Sequence, residues 1–336
     1  MLASHGAERS LPFKLIGKRN LVLSVAFLFP GQGSQSVGMM DAFSDVRVVK
    51  DTFSEASDLL NQDMWKLASE GPEELLSQTV NTQPLMLVSD VAMFRAWMSL
   101  QGPTPDVFAG HSLGEYAALI AADAISFSET VPLVRARANL MQNAVPLGTG
   151  AMAAVLGLND DDIAKACSAA MATGGVAEPA NFNAPGQVVI AGDKVTVEKA
   201  VEEAKGLGAK RAMLLAMSAP SHCSLIKEAA EEYGSLLESI TINPTTVPVI
   251  HNEDVSRASS PSHIKERLVR QLYRPVRWVE CVQATIELGA TRAIECGPGK
   301  VLSGLTKRID KSVEMISIAT VEAMQAAIKL IREGKE

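Results

Sequence analysis

Gly110-His111-Ser112-Leu113-Gly114 carries the plainest chemistry in this sequence. A G-x-S-x-G run between a strand and a helix makes a sharp turn that leaves the serine hydroxyl exposed at the helix N-terminus. The helix dipole and free amides there can stabilise an oxyanion, so Ser112 is the candidate nucleophile of an acyl-transfer or hydrolytic reaction. Serine needs a base, and the sequence holds five histidines. His5 lies in the N-terminal extension, His111 adjoins the nucleophile and diverges from it, and His263 sits in a polar helix start. His222, after Ala219-Pro-Ser221, is the candidate base, with His251 at the end of an apolar strand as the reserve. Asp160, Asp161 and Asp162 read as a solvated helix start rather than as the acid that orients the ring. A backbone carbonyl is the expected third member.

The helix after the next turn, about 128–145, carries Arg135 and Arg137. Their directions differ by about 200°, so only one can face the pocket. A guanidinium pairs bidentately with a carboxylate, which suits a substrate with a terminal acid; a surface ion pair is the plainer use of a helical arginine. The four cysteines, Cys167, Cys223, Cys281 and Cys296, are scattered without a C-x-x-C pair. They read as thiols in a reducing cytoplasm, not as a zinc site or disulfide framework.

These side chains need a scaffold. The chain has 336 residues, 47% hydrophobic and 21% charged, a globular composition. Aromatics are only 4%, so aliphatic residues and the 14 methionines must fill the core. The net charge of −7 lacks the basic field that nucleic-acid binding needs. Lys14, Lys18 and Arg19 before the apolar run at 21–29 imitate a secretion signal, but Pro30-Gly-Gln-Gly33 follows where a cleavage site should stand. The run is far shorter than the ~20 residues that span a bilayer, so it reads as a buried first strand, with no membrane partner. Residues 1–20 read as a loose extension.

Strand and helix alternate along the chain. The strand at 21–29 leads into a glycine loop, then amphipathic stretches around 41–60 and 82–101. A short strand at 107–109 runs into the serine turn, followed by helices at 115–123 and 128–145. This succession implies a parallel sheet covered by helices. Near 148 the texture changes to strand 152–156, helix 160–171, strands 176–181 and 187–191, helix 195–207 and strand 211–217. That βαββαβ order reads as a ferredoxin-like unit inserted into the larger domain. From 223 the βα rhythm resumes, with a strand at 247–250, a helix around 261–273 and a final βα unit at 290–309. The predicted fold is α/β: a large α/β-hydrolase-like domain with a parallel sheet (21–147 and 223–336) plus a small inserted ferredoxin-like subdomain (148–222).

Several motifs, in order, resemble the malonyl-CoA:acyl-carrier-protein transacylase family of bacterial type II fatty-acid synthesis. They are Phe29-Pro-Gly-Gln-Gly-Ser-Gln35, Gly110-His-Ser-Leu-Gly-Glu-Tyr116, Arg137 with Met141-Gln142, Asn181-Phe-Asn-Ala-Pro-Gly-Gln187, Pro220-Ser-His222, Arg270-Gln-Leu-Tyr273 and Gly297-Pro-Gly-Lys300. The resemblance spans about 26–308. It implies that Ser112 is acylated, that His222 is its base, and that the backbone carbonyl of Gln271 orients the ring. It also implies an oxyanion hole from the amides of Gln32 and Leu113, and a pocket in which Arg137 binds the malonyl carboxylate beside Met141. Relatives that take methylmalonyl often have Gln after the serine, so Leu113 points to unbranched malonyl.

The implied reaction is ping-pong transfer from malonyl-CoA, through malonyl-serine, to the phosphopantetheine thiol of acyl carrier protein. No metal or tightly bound cofactor is implied; coenzyme A is part of substrate and product. The closest competitor is a trans-acting malonyl loader of a polyketide synthase, whose chemistry is identical. A serine thioesterase would share Ser112 and His222 but has no use for a buried Arg137, and a non-catalytic carrier-protein adaptor would need neither. Lys265, Arg267, Arg270, Arg274 and Arg277 form a basic run, with Lys307 and Arg308 as further candidates. An acidic carrier protein is expected to dock there. With no large apolar stripe unassigned, the chain is expected to be a cytoplasmic monomer.

Overall fold

Val25-Ala-Phe-Leu-Phe29 is buried at every position, the pattern of a strand covered on both faces, and it forms the middle of a parallel sheet. The computed structural model describes residues 24–216, 219–257 and 260–334. The expected extension at 1–20, the start of the first strand and the end of the strand at 211–217 lie outside the described residues.

The strands are β1 (Ser24–Phe29), β2 (Val107–Gly110), β3 (Gly150–Leu156), β4 (Ala177–Ala184), β5 (Gln187–Asp193), β6 (Arg211–Leu214), β7 (Val249–Ile250), β8 (Ala290–Glu295) and β9 (Glu314–Ser317). The first helices are α1 (Arg47–Leu60), α2 (Met64–Glu70), α3 (Glu73–Leu76), α4 (Thr79–Ser99), α5 (Gly114–Ala121) and α6 (Phe127–Asn143). They continue as α7 (Asp160–Met171), α8 (Lys194–Gly206), α9 (Lys227–Leu237), α10 (Pro261–Tyr273), α11 (Trp278–Glu287), α12 (Val301–Ile309) and α13 (Val321–Glu333).

A five-stranded sheet in the order β7-β2-β1-β8-β9 is parallel throughout. The few aromatic residues gather on it: Phe27 meets Trp97 at 5.1 Å and Phe94 at 6.2 Å between ring centroids, nearly edge to face. Such pairs add about 0.5–1.5 kcal/mol each beyond the area they bury. A four-stranded antiparallel sheet, β4-β5-β3-β6, carries α7 and α8 over its own core of Val155, Ile163, Val188, Ile190 and Val197. Its strand order is that of a ferredoxin-like βαββαβ unit. β4 is tied to the larger domain, at the segment between α10 and α11, by Phe182 N to Val276 O and Val276 N to Ala180 O, both 2.9 Å.

Three sequence expectations need correction. The stretch at 82–101 is helical but not amphipathic: α4 is buried from Gln83 to Met93 and runs through the core. The unit at 290–309 is not the last, because β9 and α13 extend the sheet. β9 has two exposed ends and a half-buried middle, too weak an alternation to stand out. The helices α2, α3, α9 and α11 also fall where no helix was assigned.

Local signals set the helix starts. Asn159 caps α7 by accepting from Asp162 N, Asp193 caps α8 through Thr196 N, and Ser260 caps α10 with Pro261 in the first turn.

Candidate active site

The serine turn is fixed by crowding. A Cβ on Gly114 would stand 2.1 Å from Phe29 O, so only glycine lets α5 approach β1 this closely. Ser112, between β2 and α5, adopts a left-handed backbone with φ of 50°. That conformation costs roughly 1–2 kcal/mol and persists only where the surroundings enforce it. Here Ser112 N donates to Asn252 Oδ1 at 2.6 Å, while Asn252 Nδ2 donates to Gly110 O at 2.7 Å.

His222 Nε2 lies 2.8 Å from Ser112 Oγ, and His222 Nδ1 lies 2.7 Å from Gln271 O. A carbonyl only accepts, so Nδ1 carries the proton and the Nε2 lone pair faces the serine hydroxyl. Burial, and then the positive charge of Arg137, push the His222 pKa down to about 3, so the ring is neutral. Its own backbone is left-handed, with φ of 63°, and His222 N is held by Leu272 O at 2.9 Å. No carboxylate stands in the third position.

Arg137 is 1% exposed, a cation removed from water. Its Nη1 donates to Gln83 Oε1, and its Nη2 donates to Gln271 Oε1 at 2.9 Å and to Ser112 Oγ at 3.3 Å. The guanidinium carbon sits 5.5 Å from the centroid of the Tyr116 ring, and Nε has no partner. All of these neighbours are neutral. A buried cation among neutral groups is costly, and an arriving anion would relieve it.

These groups open onto a cleft of about 510 Å³ between the two sheets. Gln32, Leu113, Met141, Ser112, Arg137 and His222 line one side, and Met152, Ala154, Asn181, Asn183 and Val189 the other. Gln83 Nε2 reaches Met141 Sδ at 3.7 Å. Arg135 turns away to Gln62 Oε1 at 2.6 Å, leaving Arg137 as the inward arginine. His111 diverges from Ser112, bonds Asn183 Oδ1 at 2.8 Å and packs on Trp278.

His251, the reserve base, is buried with Nδ1 2.7 Å from Glu115 Oε1 and does not line the cleft. Sequence reasoning missed Glu115, Gln83 and Asn252. For Glu115 a signal existed, since it is a lone charge at the head of the apolar run Tyr116–Ala122. Gln83 and Asn252 had none. Among the described residues, no group of three or more His, Cys, Asp or Glu side chains is placed to hold a metal ion. No helix among them is long and apolar enough to cross a membrane.

The basic run is largely matched by acid. Arg267 pairs with Asp254 at 2.7 Å, Arg270 with Glu266 at 3.0 Å and Glu253 at 3.7 Å, and Arg277 with Glu280. Arg274 instead lies over the Tyr273 ring at 5.7 Å. Arg308 reaches across to Gln187 and Pro185.

Comparison with known proteins gives the same picture. The acyl transferase domain family matches residues 26–333. The malonyl CoA-acyl carrier protein transacylase of Escherichia coli is 50% identical over 306 residues, 91% of this chain and 99% of its own. The protein of that name from Bacillus subtilis is 43% identical over 313 residues, 93% of this chain and 98% of its own. The crystal structure of an acyl-carrier-protein S-malonyltransferase from Burkholderia pseudomallei superposes with a TM-score of 0.90 at 53% identity, covering 91% of this chain and 100% of that one. A malonyl-transacylase solved with its type II polyketide acyl-carrier protein gives 0.90 at 45% identity, covering 91% and 99%. With its serine turn, neutral histidine and buried arginine in one cleft, the chain belongs to the acyl transferase family, among the malonyl CoA-acyl carrier protein transacylases.

Proposed function

We propose that this chain moves the malonyl group of malonyl-CoA, by way of an ester on Ser112, to the phosphopantetheine thiol of an acyl carrier protein, supplying fatty-acid elongation. His222 Nε2 takes the Ser112 proton as Oγ attacks the thioester carbonyl. The amides of Gln32 and Leu113 receive the oxyanion, and its collapse expels the coenzyme A thiolate, which takes the proton from His222. In the second half the carrier thiol gives its proton to His222 and attacks the malonyl ester. Ser112 leaves with that proton. Gln271 O holds the ring through both halves. Met141 narrows the pocket beside Arg137. Coenzyme A serves only as part of substrate and product, and no resident cofactor enters these steps.

The observation that carries this reading is Arg137: a buried guanidinium surrounded by neutral groups, 3.3 Å from the nucleophile. A terminal carboxylate on the acyl chain fits it, whereas a plain thioesterase, whose acyl substrate carries no such group, has no use for it. Malonyl-CoA mixed with the enzyme should leave a malonyl group on Ser112 by mass spectrometry, and none on Ser112→Ala. The label should pass to carrier protein faster than to water; release to water alone would make the chain a hydrolase. Arg137→Ala should shift the malonyl-to-acetyl ratio of kcat/KM by about 3–5 kcal/mol, the cost of stranding one partner of a buried pair. An unchanged ratio would sink the role of Arg137.

The functional division that follows has 21–147 with 223–336 supplying Ser112, Arg137 and Gln271, and 148–222 supplying the facing wall and, at its last residue, His222. Carrier docking is proposed at the basic run of Arg267, Arg270, Arg274 and Arg277. Arg274 is the leading member because the other three already face carboxylates. Charge reversal at Arg274 should lower kcat/KM for carrier protein more than for malonyl-CoA; equal losses would rule docking out. One chain supplies Ser112, His222, Gln271 and Arg137, which supports a working monomer. All four cysteines are free and buried, which supports a reducing compartment, the cytoplasm. The same site would load a polyketide carrier, and exchange of purified carriers tells the pathways apart.

A further inference from the structure

Glu115 stands three residues after the nucleophile, on the first turn of α5, and is fully buried. It does not line the cleft. Its two oxygens collect three partners: His251 Nδ1 at 2.7 Å, Gln271 Nε2 at 2.8 Å and Asn252 N at 3.0 Å. Two of these partners touch the reacting groups. Asn252 Oδ1 accepts from Ser112 N, while Gln271 Oε1 accepts from Arg137 Nη2 at 2.9 Å.

We infer that Glu115 is a positioning residue for substrate selection: by fixing which way the Gln271 side-chain amide lies, it keeps Arg137 aimed at the acyl pocket. This inference rests on the reading that Arg137 binds the malonyl carboxylate. A carboxylate only accepts hydrogen bonds and a guanidinium only donates them. An amide lying between the two can satisfy both in one orientation alone, with Nε2 toward Glu115 and Oε1 toward Arg137. Gln271 Nε2 also donates to Ser112 O at 2.9 Å, which agrees with that orientation.

An amide at position 115 loosens the constraint. A neutral carbonyl holds Gln271 Nε2 less strongly than a carboxylate oxygen does, leaving Ser112 O as the main group that keeps the amide from turning over. Turned over, it sets an N–H against the Arg137 N–H groups and withdraws the acceptor that anchors the guanidinium. The backbone carbonyl of Gln271, which holds His222, is not part of this exchange. Asn252 N and Gln271 Nε2 share one oxygen of Glu115, and in Glu115→Gln a carbonyl oxygen at that place still accepts from Asn252 N, so the serine turn keeps its support. The loss therefore falls on malonyl recognition more than on the nucleophile.

The test is kcat/KM for malonyl-CoA and acetyl-CoA in wild type, Glu115→Gln, Gln271→Leu and the double variant. Glu115→Gln should lower the malonyl-to-acetyl ratio by about tenfold, the factor that a misaimed charged hydrogen bond of about 1.4 kcal/mol gives, mainly through KM for malonyl-CoA. Gln271→Leu removes the amide but keeps the backbone carbonyl, and should lower the ratio by a similar factor. Adding Glu115→Gln to Gln271→Leu should leave the ratio where it is, because the route from position 115 to Arg137 is already cut. A merely structural role for Glu115 would lower both substrates together and leave the ratio alone. An unchanged ratio in Glu115→Gln, or further loss of ratio in the double variant, overturns the inference. Should Glu115→Gln fail to fold, an unchanged ratio in Gln271→Leu overturns it equally. Arg137→Ala is the control. If its ratio is also unchanged, the carboxylate-binding reading has failed; if only Arg137→Ala shifts the ratio, the failure belongs to Glu115 alone.

Discussion

Two strand–loop–helix crossings stand on either side of β1, and only one is set up for chemistry. β2 passes through Gly110-His-Ser-Leu-Gly114 into α5, and β8 passes through Gly297-Pro-Gly-Lys300 toward α12. Each is a glycine loop delivering a helix N-terminus to the carboxyl end of the same parallel sheet, a place where anions and ligands bind. The second crossing fills its own helix terminus: Leu302 N and Ser303 N donate to Glu295 at 2.9 and 2.8 Å. The first leaves its terminus open to the cleft, where Leu113 and Ser112 stand, and turns its acid, Glu115, to the rear. A helix N-terminus is an oxyanion site only where the chain supplies no anion of its own.

The sharpest test of that contrast is to remove His222, the base proposed for the serine of the first crossing. His222→Ala should lower malonyl transfer roughly 10³-fold, by analogy with loss of the base in other serine sites, with the fold intact. Steady-state kinetics on the purified variant check it, and near-normal turnover would take the role away from His222. The pH dependence has a definite sign. With the pKa pushed from 6.5 to about 3, the ring stays a base as pH falls through the ordinary histidine range, so kcat/KM for malonyl-CoA should show no His222 limb near 6.5. The unfolded chain does take that proton below 6.5. Native stability should therefore fall, by about 1.4 kcal/mol per pH unit from this group, as pH drops from 6.5 toward 3. Urea titrations of wild type and His222→Ala at several pH values should show that part of the slope vanish in the variant.

Much of this contrast could be read in the sequence, and the illegible part has a physical cause. The Gly-x-Ser-x-Gly spacing reports a local backbone requirement, and the βαββαβ order reports hydrophobic periodicity; both are short-range and survive in a string of letters. The inward choice between Arg135 and Arg137 was open, because helix geometry separates the two without saying which side the core lies on. The arrangement around Glu115 joins residues from α5, α10 and the loop after β7, separated by more than a hundred positions, and no local pattern encodes it. α4 misled because a helix that threads the core has no polar face to mark its period. The charge run around Arg270 hides part of its pairing: two of the acids that face it, Asp254 and Glu253, come from a preceding loop and fold back onto α10.

A smaller change tests the closed crossing. Glu295→Gln keeps one acceptor for the α12 amides but sets an N–H against the other, inside a site where residue 295 is 4% exposed. Leaving such a donor unmatched costs about 1–3 kcal/mol. The same substitution relieves Asp90, whose carboxyl is pushed well above the usual range by burial and then by the Glu295 charge, so the net loss should sit at the lower end. A urea midpoint lower than wild type, with malonyl-serine formation retained, would show that this helix terminus is structural. Loss of acyl-enzyme formation at full stability would mean that the second crossing also serves the reaction, and the contrast would collapse.

The smallest expected effect concerns a glycine in each helix. Gly114 cannot carry a side chain because Phe29 O stands 2.1 Å from where its Cβ would be. Gly304, in the middle of α12, is exposed and has nothing within 4 Å of that position. Its φ is not in the left-handed region, so alanine can adopt the same backbone. Glycine in a helix interior gives up more conformational freedom on folding than alanine does, a difference of about 0.5–1 kcal/mol. Gly304→Ala should therefore raise stability by that amount, seen as a higher urea midpoint with the slope of the transition unchanged. Malonyl transfer to a carrier protein should be unaltered. A stability gain accompanied by weaker transfer to the carrier, with malonyl-CoA kinetics unchanged, would place the exposed face of α12 against the carrier rather than against water.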